Sequence, residues 1–268
     1  MKYDLVCDLV FETDIGGWEF GKRLLSGVFS IPKLSPQRIA TFGEVSKRNG
    51  SDVTLLDDCE EFWGRQATLS VGNSTTTIAE DFHWKRNGRL KSLGVVTFPD
   101  RNMRGERIPG GIFFQAQFGS GPDWLNLFRN WCAVSSSELG GLHVITGDAA
   151  RISRAELGDE IQIQAWSRFL NGSFKCAFRI GDTNRLISGL TNIGWAMWFG
   201  DLYAHEVDER RISREGFPIE KIGNSYLVRV TDRIEDVVSD FNHFSNRRAK
   251  LKSLFREGLF MINEEPLA

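Results

Sequence analysis

The stretch from residue 110 to 135 constrains the fold most, because its hydrophobic period changes from two to almost four. Its first half alternates, with Ile112, Phe114, Ala116 and Phe118 on one face and Gln115 and Gln117 on the other. Its second half carries apolar residues at helical spacing: Trp124, Leu127, Phe128, Trp131 and Cys132. Pro122 suits a first helical turn, with Ser120 or Gly121 as the N-cap. The pattern predicts a half-buried strand, then an amphipathic helix that ends between residues 135 and 140.

Shorter patterns predict the elements before this stretch. In residues 3–11 every second residue is apolar, which predicts an opening strand. Residues 16–21 (GGWEFG) indicate a loop or turn. Residues 31–52 contain two prolines and two glycines, which favours a surface connection with a short helix. We expect one or two helical turns in residues 55–65 and a strand in residues 67–73.

The second half of the chain predicts two hairpins and a terminal helix. Asn171-Gly172 lies between the alternating halves of residues 161–180, and Gly223-Asn224 lies within residues 217–231. From Asp232 onward, apolar residues hold helical spacing, acidic residues lead and basic residues follow. A break near Asn246 would divide this region into two helices.

These elements together predict an α+β fold. Strands and hairpins form a mainly antiparallel or mixed sheet, flanked by a few helices that include a long C-terminal helix. Residues 1–268 are expected to form a single domain, with a division into two subdomains near residues 147–160 as the alternative. Apolar residues become sparse in that segment.

Composition excludes several classes of protein. A formal net charge of −2 argues against a broad nucleic-acid-binding surface. The four cysteines form no CxxC pair, so we expect free buried thiols in a reducing compartment. The N-terminus has two aspartates within its apolar run, unlike a signal peptide, and no stretch is apolar enough to span a membrane. The expected location is the cytoplasm.

No motif identifies a chemistry, so we expect no catalytic residue, metal or cofactor. The sequence has neither the GxSxG of serine hydrolases nor a P-loop. On a helix, Asp201, His205 and Asp208 would share a face that could hold a divalent metal, although a solvated acidic helix start is favoured. GSGPDW (119–124) could bind an anion at the start of the helix, but a turn and cap is the simpler interpretation. The basic run at 247–252 is interpreted as a solvated helix end with Leu251 facing inward.

The aromatic stretch at residues 193–203 (IGWAMWFGDLY) allows two interpretations. Both faces of a strand there would be apolar, which favours a central strand in the core. A Trp or Tyr at its exposed end could instead anchor a protein interface.

Three stretches, taken in order, resemble a known family. They are FHWKRNGRLKSLGVVTFPDRNMRGERIPGGIFFQAQF (82–118), WLNLFRNWCAVSSSELGGLHVIT (124–146) and GWAMWFGDLYAHEV (194–207), the last followed by LVRVTD and a terminal helix. This order is similar to bacterial immunity proteins of polymorphic-toxin and type VI secretion systems, especially the immunity protein 52 group. The likeness covers residues 80–260 and lies in the placement of aromatic residues and glycines.

The resemblance implies a cytoplasmic inhibitor without catalysis, which binds a cognate protein toxin, often a nuclease, and occludes its active site. Acidic residues would suit a basic nuclease cleft. Two acidic patches are available: Asp57, Asp58, Glu60 and Glu61 in the first, and Asp201, Tyr203, Glu206, Asp208 and Glu209 in the second. An unrelated ligand-binding or scaffold protein, or a metal-dependent enzyme, remains the alternative.

Overall fold

The computed structural model describes residues 3–72, 74–101, 105–145, 190, 192–260 and 265. Its strands are β1 Asp4–Phe11, β2 Arg38–Thr41, β3 Ser51–Asp52, β4 Gln66–Val71, β5 Ser74–Ala79, β6 Phe82–Arg86, β7 Ser92–Thr97, β8 Asp100–Arg101, β9 Arg107–Ile108, β10 Gly110–Gln117, β11 Leu139–Ile145, β12 Ala196–Phe199, β13 Ile219–Ile222 and β14 Ser225–Arg229. Its α-helices are α1 Trp18–Phe29, α2 Trp124–Val134, α3 Glu209–Arg214, α4 Asp236–Ser239 and α5 Phe241–Lys252. Two 3-10 helices cover Leu56–Phe62 and Ala204–Glu206.

This mixture of antiparallel strands and a few helices confirms the predicted α+β class. The chain forms two compact units, Leu9–Ser137 and Met1–Asp8 with Glu138–Ala268. The division considered near residues 147–160 and the hairpin predicted at residues 161–180 lie outside the described residues.

The unit Leu9–Ser137 has a sheet with the strand order β10-β7-β6-β2-β3. One face of β10 is buried, as its alternation predicts, because Ile112, Phe114 and Ala116 are all inaccessible. The core of this unit is aromatic. Trp84 of β6 stacks on Phe114 at 6.1 Å between ring centroids, and Trp131 of α2 meets Phe114 edge-on at 5.2 Å.

Helix α2 follows β10 and confirms the predicted change of period. All five residues of its predicted apolar face are buried. The N-cap, however, is Asp123 rather than Ser120 or Gly121, since its carboxylate accepts a hydrogen bond from the backbone N–H of Asn126 at 3.0 Å. Asp combines a side-chain acceptor with a charge that suits the positive helix end, and the predicted caps offer less.

Helix α1 was not predicted. The loop or turn expected at residues 16–21 is found only at residues 16–17, and residues 18–21 already belong to α1. Its buried positions are Gly21, Leu24, Leu25 and Val28, which share one helical face. Glycine at position 21 conceals this period in the sequence, yet the packing requires it. A Cβ there would lie 2.5 Å from the ring of Trp63. The short helix expected in residues 31–52 is also absent, and this described segment forms turns and strands β2 and β3.

The unit that holds Glu138–Ala268 has the strand order β13-β14-β12-β11. Its β13–β14 hairpin turns at residues 223–224, as predicted. Strand β12 pairs on one side with β11 and on the other with β14, and all four of its residues are buried. The aromatic stretch is therefore core up to Phe199. Its exposed end begins after Gly200, where Leu202 is exposed and Tyr203 is half-buried.

The C-terminal helical region is divided, but not at Asn246. The break falls at Asp240, which ends α4 and caps α5 by accepting the backbone N–H of His243 at 3.1 Å. Helix α5 continues unbroken through Asn246 to Lys252. The backbone N–H groups of a first helical turn have no carbonyl partner within the helix, and an aspartate side chain can accept one of them. This favours a helix start, and so the break, at Asp240.

Candidate protein-binding site

The first acidic patch lies on the 3-10 helix Leu56–Phe62, which we call the acidic helix. Its four predicted residues, Asp57, Asp58, Glu60 and Glu61, are all exposed, and Cys59 between them is buried. Cys59 therefore packs against the protein interior, and the four carboxylates face the solvent. The buried Cys59 thiol is not a nucleophile at neutral pH, because desolvation and then the charge of Asp58 raise its pKa to about 12.

Trp63, which directly follows the acidic helix, fixes it to the core of its unit. The indole nitrogen of Trp63 donates a hydrogen bond to the carbonyl of Ile15 at 2.8 Å. Its ring contacts Phe82 and Phe98, with centroids 5.2 and 5.3 Å away. Together with the close approach of Gly21, these contacts hold the end of the acidic helix in one position.

Asp58 fixes the other end of the acidic helix. Its carboxylate accepts the backbone N–H groups of Leu55 at 2.8 Å and Thr54 at 2.9 Å, and the Thr54 hydroxyl at 3.3 Å. The backbone hydrogen bonds from Leu55 and Thr54 lower the pKa of Asp58, so its ionised form is favoured more than in a free aspartate. Asp58 thus has a structural role, which the sequence analysis did not assign.

The remaining carboxylates of the acidic helix are exposed to solvent. Asp57 forms an exposed ion pair with Lys22 at 3.3 Å, and such pairs are weak. Glu60 and Glu61 form no ion pair within the part of the chain that the structure describes. The acidic helix therefore presents three carboxylates on a backbone that is held at both ends.

The second acidic patch is less available. Glu206 has a side chain only 8% exposed, and both its oxygens accept from Nε of Arg256 at 2.7 and 2.8 Å. Asp208 caps α3 by accepting the backbone N–H of Arg211 at 3.0 Å. Asp201 and Glu209 are exposed. This patch lies in the other unit from the acidic helix, and it contributes fewer free charges.

The metal site considered at Asp201, His205 and Asp208 requires these residues to lie on one continuous helix. Residues 201–208 do not form such a helix. Asp201 lies in a turn, His205 in a 3-10 helix of three residues, and Asp208 at the cap of α3. Across the described ranges, no three His, Cys, Asp or Glu side chains converge as metal ligands would.

The basic run at residues 247–252 is not the solvated helix end that was expected. Leu251 does face inward, but Arg248 and Lys252 are buried as well. Both form ion pairs with Glu265, with the Arg248 Nε 2.6 Å from the carboxylate. Burial lowers the pKa of Lys252 to about 8, despite the opposing effect of Glu265. Helical spacing from Phe244 to Arg248 and Lys252 is the signal that could have placed these cations on the buried face.

Sequence analysis also missed a buried histidine next to these charges. The ring of His143 in β11 stacks on Phe244 at 5.5 Å between centroids. Desolvation, followed by the charge of Arg248, holds the pKa of His143 well below its usual value, so the ring is neutral. These residues stabilise the packing of α5 and offer no exposed group to a ligand.

An open cavity of about 400 Å³ lies in the unit Leu9–Ser137, at the end of β1. Its lining includes both charge signs, and Arg107 pairs there with Glu12 at 3.4 Å. The described cysteines, Cys7, Cys59 and Cys132, are all buried. Within the described ranges, no helix is both long and apolar enough to cross a membrane.

Comparison with solved structures finds a similar fold in a secretion-system protein. No family model matches the sequence, and curated proteins give no match either. The structure is similar to the solved Pseudomonas aeruginosa T6SS protein PA0821, with a TM-score of 0.52 and 10% sequence identity. The match covers 96% of this chain and 73% of that one. At this identity the likeness shows the fold alone, and the resemblance to the immunity protein 52 group stays a prediction.

Proposed function

We propose that this chain is an immunity protein that binds a cognate bacterial toxin of the nuclease class and occludes its active site. The observation that carries the proposal is the acidic helix, whose carboxylates are exposed on a backbone held by Asp58 and Trp63. The fold shared with a T6SS protein supports it, since immunity proteins belong to such systems.

The acidic helix suits this role on electrostatic grounds. A nuclease cleft carries Lys and Arg for the phosphate backbone, so an acidic surface can occupy it in place of nucleic acid. Because the helix is held at both ends, little conformational entropy would be lost on binding. An interface of standard size, about 1,600 Å² in total, would extend well beyond these carboxylates.

In the proposed role, the chain catalyses no reaction, uses no cofactor or metal and acts in the cytoplasm. Burial raises the pKa of Cys7 as well as that of Cys59, so neither thiol is a ready nucleophile. Neutralisation would therefore be stoichiometric, one bound toxin for each inhibitor.

The experiment is a capture of the tagged full-length chain from the bacterium that encodes it, followed by a toxicity assay of the captured partner. We expect one stoichiometric partner that is toxic when expressed alone in a second bacterium and harmless with this chain. The double variant Glu60→Lys, Glu61→Lys should restore toxicity. Glu257→Lys, an exposed charge reversal in the other unit, is the matched control and should still protect. A partner that is not toxic, or protection that survives the double reversal, would contradict the proposal.

A further inference from the structure

Phe42 combines exposure with an unfavourable backbone. Its side chain is 75% accessible, more than any other large apolar side chain within the described ranges. Its φ is 55°, in the left-handed region that bulky residues rarely adopt. Neither the exposed ring nor the positive φ stabilises the fold. A glycine at this position would remove the exposed apolar surface and would adopt the positive φ without strain. An outlier of this kind indicates a function outside folding.

The loop after Phe42 holds the residue in this conformation. The side-chain amide of Asn49 donates to the carbonyl of Phe42 at 3.3 Å and to that of Glu44 at 3.2 Å. The Ser46 hydroxyl accepts the backbone N–H of Asn49 at 3.1 Å. Val45 is buried and anchors the loop. The aromatic side chain is therefore presented to solvent by an ordered loop.

Phe42 lies at the same end of the sheet as the end of the acidic helix. Thr41, which precedes it, pairs with Phe82 in β6. The ring of Phe82 contacts Trp63, the residue that follows the acidic helix. Strand β2 also contacts the acidic helix. The exposed Phe42 and the end of the acidic helix thus lie at the same end of the sheet in the unit Leu9–Ser137.

We infer that Phe42 is the apolar anchor of the interface proposed for the acidic helix, and that it inserts into an apolar socket bordered by Lys and Arg on a protein partner. The inference rests on the proposed function and names the contact that supplies most of the affinity. Aromatic residues held in their bound conformation dominate protein interfaces, while charges mainly set partner choice and association rate. The loop itself carries two exposed basic residues, Lys47 and Arg48, which cannot attract Lys and Arg of a partner. The electrostatic attraction is therefore assigned to the carboxylates of the acidic helix.

The variant Phe42→Gly separates binding from folding. Glycine adopts positive φ freely, so the melting temperature should stay the same or rise. Loss of an aromatic hot spot should nevertheless weaken the captured toxin's affinity about 30-fold. Leu69→Ala is the matched control, because Leu69 is an exposed apolar residue of β4 in the same unit. Affinity unchanged in Phe42→Gly would overturn the inference.

A photocrosslinking amino acid distinguishes failure of this inference from failure of the proposed function. p-Benzoylphenylalanine is placed at position 42, 60 or 69 of the full chain in the bacterium that encodes it. Crosslinks from positions 42 and 60 to the same protein, with position 69 silent, support the inference. A crosslink from position 60 alone overturns the inference and leaves the proposed function standing. No crosslink from either position overturns both.

Discussion

At the scale of single residues, two glycines are required by tryptophans rather than by turns. Gly94 of β7 lies opposite Trp84 in the register of the sheet. A Cβ at position 94 would overlap the Trp84 ring, as one at position 21 would meet Trp63. The absence of a side chain lets each indole lie flat against the backbone, and the aromatic core of the unit depends on it.

Gly94→Ala should lower the free energy of unfolding by about 1–3 kcal/mol, because the added methyl forces Trp84 out of a packed position. Gly17→Ala is the control, since nothing lies within 4 Å of a Cβ there and the poorer N-cap of α1 should cost less than the overlap at position 94. Urea denaturation of both variants checks the prediction. Equal midpoints would show that the sheet accommodates the methyl group and would contradict this description of the core.

The hydrogen bonds of the Asp58 carboxylate should make the stability of the acidic helix depend on pH. Its folded-state pKa is lowered, so the stabilisation is present above the ordinary value of 3.8 and is lost as the pH falls through the folded value. The amide resonances of Thr54 and Leu55 should therefore titrate below pH 3.8 in an NMR experiment. Asp58→Asn should remove this titration. A midpoint at or above the ordinary value would mean that the carboxylate does not hold the helix start.

At the scale of elements, the caps decide where helices begin. Asp123→Ala should destabilise the protein by about 1 kcal/mol, because the first turn of α2 loses its side-chain acceptor. Asp123→Asn keeps an acceptor oxygen and should cost less. Thermal unfolding followed by circular dichroism compares the two. If both variants unfold like the wild type, Ser120 or Gly121 is the effective cap after all.

The elements with a regular apolar period could be predicted from the sequence, and those with a concealed period could not. Strand β10, helix α2 and the β13–β14 hairpin each show their period directly. Helix α1 does not, because a buried glycine stands where the pattern expects a large residue. The carboxylates of the acidic helix were predicted, but Phe42 was missed, since its exposure and positive φ depend on a loop closed by Asn49.

At the largest scale, Glu265 is joined to α5 by ion pairs, although it is distant from most of that helix in sequence. Glu265 lies between two buried cations, Arg248 and Lys252. Glu265→Ala should cost about 3–5 kcal/mol, because it leaves buried charges without compensation. Glu215→Ala breaks only an exposed pair with Lys250 and should change the unfolding midpoint little. Equal effects of the two variants in chemical denaturation would show that Glu265 is not buried in solution.

The proposed function requires an acidic surface of this chain to bind a basic cleft of a toxin. The decisive test is the association rate constant with the captured partner, measured by stopped flow at increasing ionic strength. We expect a rate that falls steeply with salt, and that drops at least about tenfold at low salt in the Glu60→Lys, Glu61→Lys variant. A rate that depends on neither salt nor the charge reversal would contradict the account.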